Sequence, residues 1–91
     1  MKLIKLYKRL IEGFDKSEEN DIVDAVQNCF DEKGNNGLRN SDILNSYLGK
    51  LEFEVDVADI EISSWQARHS DRSQKRATIS VQGNIIGQIN N

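Results

Sequence analysis

The apolar residues of this chain change period once, near Gly49, and that single change constrains the fold more than any motif does. Before Gly49 they recur at three- and four-residue steps; after it they fall at every second position. The first spacing puts side chains on one face of a helix, and the second puts them on one face of a strand. A helical half followed by a strand half, without alternation between the two, predicts an α+β fold. The expected architecture is three N-terminal helices packed on one face of a C-terminal three-stranded antiparallel β-meander. Residues 1–49 supply the helices and 50–91 the sheet of one domain spanning residues 1–91.

Leu3, Ile4, Tyr7, Leu10, Ile11 and Phe14 form the stripe of a first amphipathic helix, with lysines on its other side. A second helix is predicted after Ser17, whose hydroxyl can cap free N–H groups; Glu18, Glu19 and Asp21 then fill the turn where the helix dipole favours anions. Its buried stripe is Ile22, Val23, Val26, Cys29 and Phe30. A short third helix follows Asn40 or Ser41, turns Ile43, Leu44, Tyr47 and Leu48 inward, and ends at Gly49 in the left-handed conformation.

Beyond Gly49, Leu51, Phe53, Val55 and Val57 alternate with Glu52, Glu54 and Asp56, the pattern of a strand with one dry and one wet face. Ile60 and Ile62 continue it one position out of phase. Ala58-Asp59 suits a hairpin poorly because neither residue favours positive φ, so one long strand with a bulge there is expected. In "ATISVQGNIIGQI", a three-residue loop Gln82-Gly83-Asn84 pairs Val81 with Ile85, Ile79 with Gly87 and Ala77 with Ile89. That register gathers the apolar side chains on one face, places Asn84 in the left-handed region and turns Ile86 outward.

"DEKGNNGLRNSD" (31–42) has the outline of a calcium loop between two helices. Its chemistry is wrong: Lys33 and Arg39 occupy ligand positions 3 and 9, Asn36 stands where the turn glycine belongs, and Asp42 replaces the bidentate glutamate. The stretch reads as a joint between helices, and no metal is expected.

Cys29 is the only cysteine and His69 the only histidine, so neither an internal disulfide nor a cysteine-based zinc site can form; a reducing compartment, the cytoplasm, is expected. No run approaches the ~20 apolar residues that span a bilayer. The apolar side of the first helix, whose lysines could face a membrane surface, is assigned to the core instead. His69 lies beside Ser70, Asp71 and Ser73 in "RHSDRSQKR", but neighbours in a polar loop rarely converge as a catalytic set. "GNNG" lacks the Lys-Ser/Thr of a phosphate loop. No enzymatic activity and no cofactor are expected.

The net charge of −3 is distributed in blocks: +4 over residues 1–11, −7 over 12–32, +2 over 33–41, −5 over 42–66 and +3 over 67–91. Three helices then a hairpin superficially follow a winged-helix order, yet "SDILNSYLG", the helix that would enter a groove, begins with an acid and holds no Arg or Lys. The loop 65–76 is the remaining candidate for nucleic acid, with Trp65 at its base and Arg68, Arg72, Lys75 and Arg76 along it.

The favoured expectation is a small protein-binding module of the inhibitor, immunity or adaptor type, acting through charged surfaces. One surface joins Trp65 to Arg68, His69, Arg72, Lys75 and Arg76; the other is acidic, with Glu52, Glu54, Asp56 and Glu61 beside the acidic second helix. Nucleic-acid association through 65–76 is the alternative. "NIIGQINN", a last strand with no Pro or Lys at its edge, adds the expectation of a homodimer.

Overall fold

A computed structural model describes residues 13–67 and 74–91. All but the end of the expected first helix therefore lies outside the described residues; of its stripe, Phe14 is seen, half-buried with its ring 5.8 Å from that of Phe53. The described chain is α+β, helix-rich in its N-terminal part and ending in an antiparallel sheet of four strands.

Helix α1 (Lys16–Leu38) is capped by Asp15, not Ser17. The Asp15 carboxylate accepts from the Glu18 N–H at 2.8 Å, and the Glu18 side chain accepts from the Asp15 N–H at 3.1 Å. This reciprocal box satisfies two donors where a lone serine would satisfy one. The helix kinks at Gly34, where φ is 72° and ψ −168°. A side chain at that φ would crowd the backbone, so the kink falls on a glycine. The joint between helices is accordingly shorter than expected, since Asp31 and Lys33 are still helical.

Helix α2 (Ser41–Leu48) is capped by Asn40, whose carbonyl oxygen accepts from the Asp42 and Ile43 N–H groups at 3.0 and 3.2 Å. Gly49 follows it with φ −65°, right-handed rather than left-handed, and its N–H continues the helical pattern to the Asn45 carbonyl at 2.8 Å.

The long bulged strand expected over 51–62 does not form. Residues 51–56 are irregular; Val57–Asp59 make a 3-10 turn, and only Ile60–Ile62 (β1) join the sheet. The Asp56 carboxylate caps the turn by accepting from the Ala58 N–H at 3.0 Å. Coiling at 57–59, rather than a bulge, produces the phase shift seen in the sequence. Alternating burial survives without a ladder: Phe53 is buried, Leu51, Val55 and Val57 half-buried, and Glu52, Glu54 and Asp56 exposed.

The other strands are β2 (Gln66–Ala67), β3 (Lys75–Val81) and β4 (Asn84–Asn90). β3 is central. Its even-numbered residues bond toward β1 and β2: Ser63 donates its N–H to the Thr78 carbonyl, and Gln82 donates to Asp59. Its odd-numbered residues bond toward β4, as the Asn91 N–H does to the Lys75 carbonyl. β1 and β2 are thus two pieces of one interrupted strand, which makes four strands where three were expected.

The far half of the β3–β4 register is as expected, with Ile79 opposite Gly87 and Ala77 opposite Ile89. The near half is not: the register shifts between Ile79 and Ser80, and Ser80 then pairs with Ile85 and Val81 with Asn84. The loop is the two residues Gln82 and Gly83, both at positive φ (53° and 84°), so the left-handed role expected of Asn84 falls to them. Two positive φ angles match the twist a two-residue hairpin requires. The bulge reverses the two isoleucines: Ile86 is buried, and Ile85, expected inward, is 73% exposed.

One hydrophobic cluster draws on both halves of the chain: Ile22, Val26 and Cys29 from α1, Leu44 and Leu48 from α2, and Ile79 and Ile89 from the sheet. Gly87 lets α1 approach, because a Cβ there would lie 2.8 Å from Val23 Cγ2. The opposite sheet face carries Glu61, Thr78, Ser80, Ile85 and Gln88 and is not covered by α1 or α2.

Candidate functional site

The kink at Gly34 and the interruption at Ser63–Ser64 meet at Trp65. Its ring tilts against Phe30 with centroids 4.8 Å apart, and its indole N–H donates to Asn35 Oδ1 at 3.2 Å. Trp65 is half-buried: one face belongs to the fold, and the other lines a groove of about 390 Å³. Leu38, Leu44, Val57, Ile60 and Ile62 line it too, and among the described residues Arg39 is the only charged side chain in the lining. Arg39 is exposed and makes no ion pair among the described residues. A concave surface that mixes apolar side chains with polar groups can hold a side chain and orient what carries it.

The expected site residues divide among three places. Trp65 lines the groove. Lys75 and Arg76 are strand residues rather than loop residues, exposed at the start of β3; Gln66 pairs with Arg76, and the Arg76 guanidinium donates to Gln88 Oε1 at 3.1 Å. The acidic trio shares no strand face. Glu54 borders a separate depression with Asn45, Leu48 and Phe53; Glu52 is exposed; Asp56 caps the turn beside the groove. Arg68, His69 and Arg72 lie outside the described residues.

Asn35, Leu38, Arg39, Leu44, Val57, Ile60 and Ile62 escaped sequence reasoning as site residues. The one available signal was "GNNGLRN", which reads as a joint and turns out to furnish one side of the groove.

A second depression, between α1 and α2, is acidic, with Asp21, Asp24 and Glu32 beside Tyr47 and Lys50. The Tyr47 hydroxyl donates to Glu32 Oε1, and the Lys50 ammonium stands 4.9 Å from the Tyr47 ring centroid. The bond to Glu32 holds the phenol proton and pushes the Tyr47 pKa up to about 12, with burial and the Glu32 charge adding to it. Among the described residues no group of three His, Cys, Asp or Glu side chains is placed to hold a metal, and no helix is long and apolar enough to cross a membrane.

No family model, no curated protein and no solved structure matches this chain.

Proposed function

We propose that this chain is a small non-enzymatic protein-binding module of the inhibitor, immunity or adaptor type, working in the cytoplasm, and that the Trp65 groove receives its partner. The observation that carries this reading is the groove itself. Val57, Ile60, Ile62 and Trp65 remain only half-buried around a concavity of about 390 Å³. Half-buried side chains around a concavity are where a partner can dock, and tryptophan is a favoured contact at such places. The basic residues Lys75, Arg76, Arg68, His69 and Arg72 and the acidic residues Glu52, Glu54 and Asp56 would steer the encounter more than they would hold it.

A pull-down from the native cell tests this. The wild-type chain is expected to retain a protein in stoichiometric amount, and the Trp65→Ala/Arg39→Glu variant to lose it while keeping the wild-type circular dichroism. A partner retained equally by that variant would remove the groove from the reading; no stoichiometric partner would remove the reading.

Nucleic acid is the second reading, favoured by the exposure of Lys75 and Arg76 at the base of the 68–73 connection. Retention of RNA that falls steeply with salt and disappears in Arg72→Ala/Arg76→Ala would replace the first reading with this one. Self-association through β4 completes the proposal: its outer edge up to Gln88 is the segment a second copy would pair with. Light scattering that returns a monomer at millimolar concentration would dismiss it.

A further inference from the structure

Edge polarity separates the two outer strands of the sheet. On β4, the groups of Asn90 point away from β3, and the Gln27 side chain meets both: Nε2 donates to the Asn90 carbonyl at 3.0 Å, and Oε1 accepts from the Asn90 N–H at 2.8 Å. On β1, the bonds from Ser63 to Thr78 and from Gln82 to Asp59 direct Glu61 toward β3, so the main-chain groups of Ile60 and Ile62 point outward. The Ile60 N–H is taken by the Val57 carbonyl. Among the described residues nothing bonds to the Ile60 carbonyl, the Ile62 N–H or the Ile62 carbonyl. Ile60 and Ile62 both line the groove, together with Trp65, Leu38, Leu44 and Arg39.

An acceptor, a donor and an acceptor in a row, next to a groove that mixes polar groups with Leu38, Leu44 and Trp65, match what an extended backbone offers. From these features we infer that β1 is the recognition edge. A partner adds to it as an extended strand whose residue opposite Ile62 exchanges both of its main-chain bonds. A residue two positions along donates its N–H to the Ile60 carbonyl. Side chains of such a strand alternate, so one aliphatic residue enters the groove. Arg39, among the described residues the one cation in the lining and without an ion pair, selects a carboxylate close to that residue. The partner is therefore an extended, aliphatic-acidic peptide segment. This inference rests on the protein-binding reading and specifies its mode.

The probe is a phage-displayed library of random heptapeptides, selected on the full chain and followed by synthesis of the enriched sequence. The expected consensus has an aliphatic residue with Asp or Glu near it, and binding shifts the fluorescence of Trp65, the chain's only tryptophan. N-methylation at the two bonded amides lowers affinity by about tenfold or more, whereas the amide between them tolerates it, since each lost bond leaves a main-chain group unsatisfied. Arg39→Glu, an exposed change with little bearing on folding, turns the consensus from acidic to basic. A consensus with helical spacing, indifference to N-methylation, an unchanged consensus with Arg39→Glu, or no enrichment would each overturn strand addition. A native partner that still needs Trp65 and Arg39 in any of those cases leaves the protein-binding reading standing. If that partner is missing too, both fall.

Discussion

Tyr47 and Gly87 show how single residues tie this fold together. The Tyr47 phenol is protonated in the folded chain up to about pH 12, against an ordinary value of 10, because Glu32 accepts its proton in a hydrogen bond. A pKa raised by folding contributes stability that is complete below the unfolded value and disappears as pH rises through the folded one. The wild type should therefore lose stability between about pH 10 and 12, and Tyr47→Phe should flatten that part of the profile. Urea midpoints measured across the window for both proteins check this, and parallel profiles would contradict it. Gly87 matters for what it lacks. Adding a methyl there strikes Val23 Cγ2 at 2.8 Å, so Gly87→Ala should cost about 1–3 kcal/mol through overpacking. Val23→Ala should recover much of that loss, giving a coupling a double-mutant cycle detects.

At the scale of elements, what was legible depended on whether the determining contacts were local. The bodies of both described helices were readable because their apolar stripes repeat over several turns, and Asn40 was one of the two caps expected. The start of α1 was readable in principle: Asp15 and Glu18 have the spacing of a capping box, which outranks the single hydroxyl of Ser17. Residues 51–57 were misread for a physical reason. Alternation records which side chains face the core, while a strand also needs a neighbour to bond with, and no local signal supplies one. The exchange of Ile85 and Ile86 has the same origin, since a bulge next to the turn flips facing for two adjacent isoleucines of equal hydrophobicity. The groove was illegible because it joins residues 35–44 to 57–65. The Gln27 clasp is likewise non-local, and it guards an edge that had looked unprotected. Gln27→Ala should lower stability by about 0.5–1.5 kcal/mol for each bond lost and raise self-association through β4, measured by light scattering against the wild type at equal concentration.

Taken whole, the molecule has two surfaces that stand out among the described residues: the β1 edge, which faces a groove shared with α1 and α2, and the outer sheet face with Ile85, which neither helix covers. The described core is small, so each of its members carries a large share of cohesion, and its centre holds a chemically reactive atom. Cys29 has no exposed surface, and burial, with the nearby Glu32 charge, pushes its thiol pKa up despite the opposing effect of Lys33. A thiol sealed this way stays in its uncharged, unreactive form, and an aromatic disulfide reagent added in excess should modify it only when the core opens and the thiolate can form. Its modification rate should then track global unfolding, rising with urea along the same slope as the circular dichroism transition. Fast labelling without urea would mean that the core opens locally around α1. The chain thus carries its own chemical clock: one sulfur atom, placed where only cooperative opening reaches it, turns elapsed time in reagent into a measure of how often the molecule comes apart.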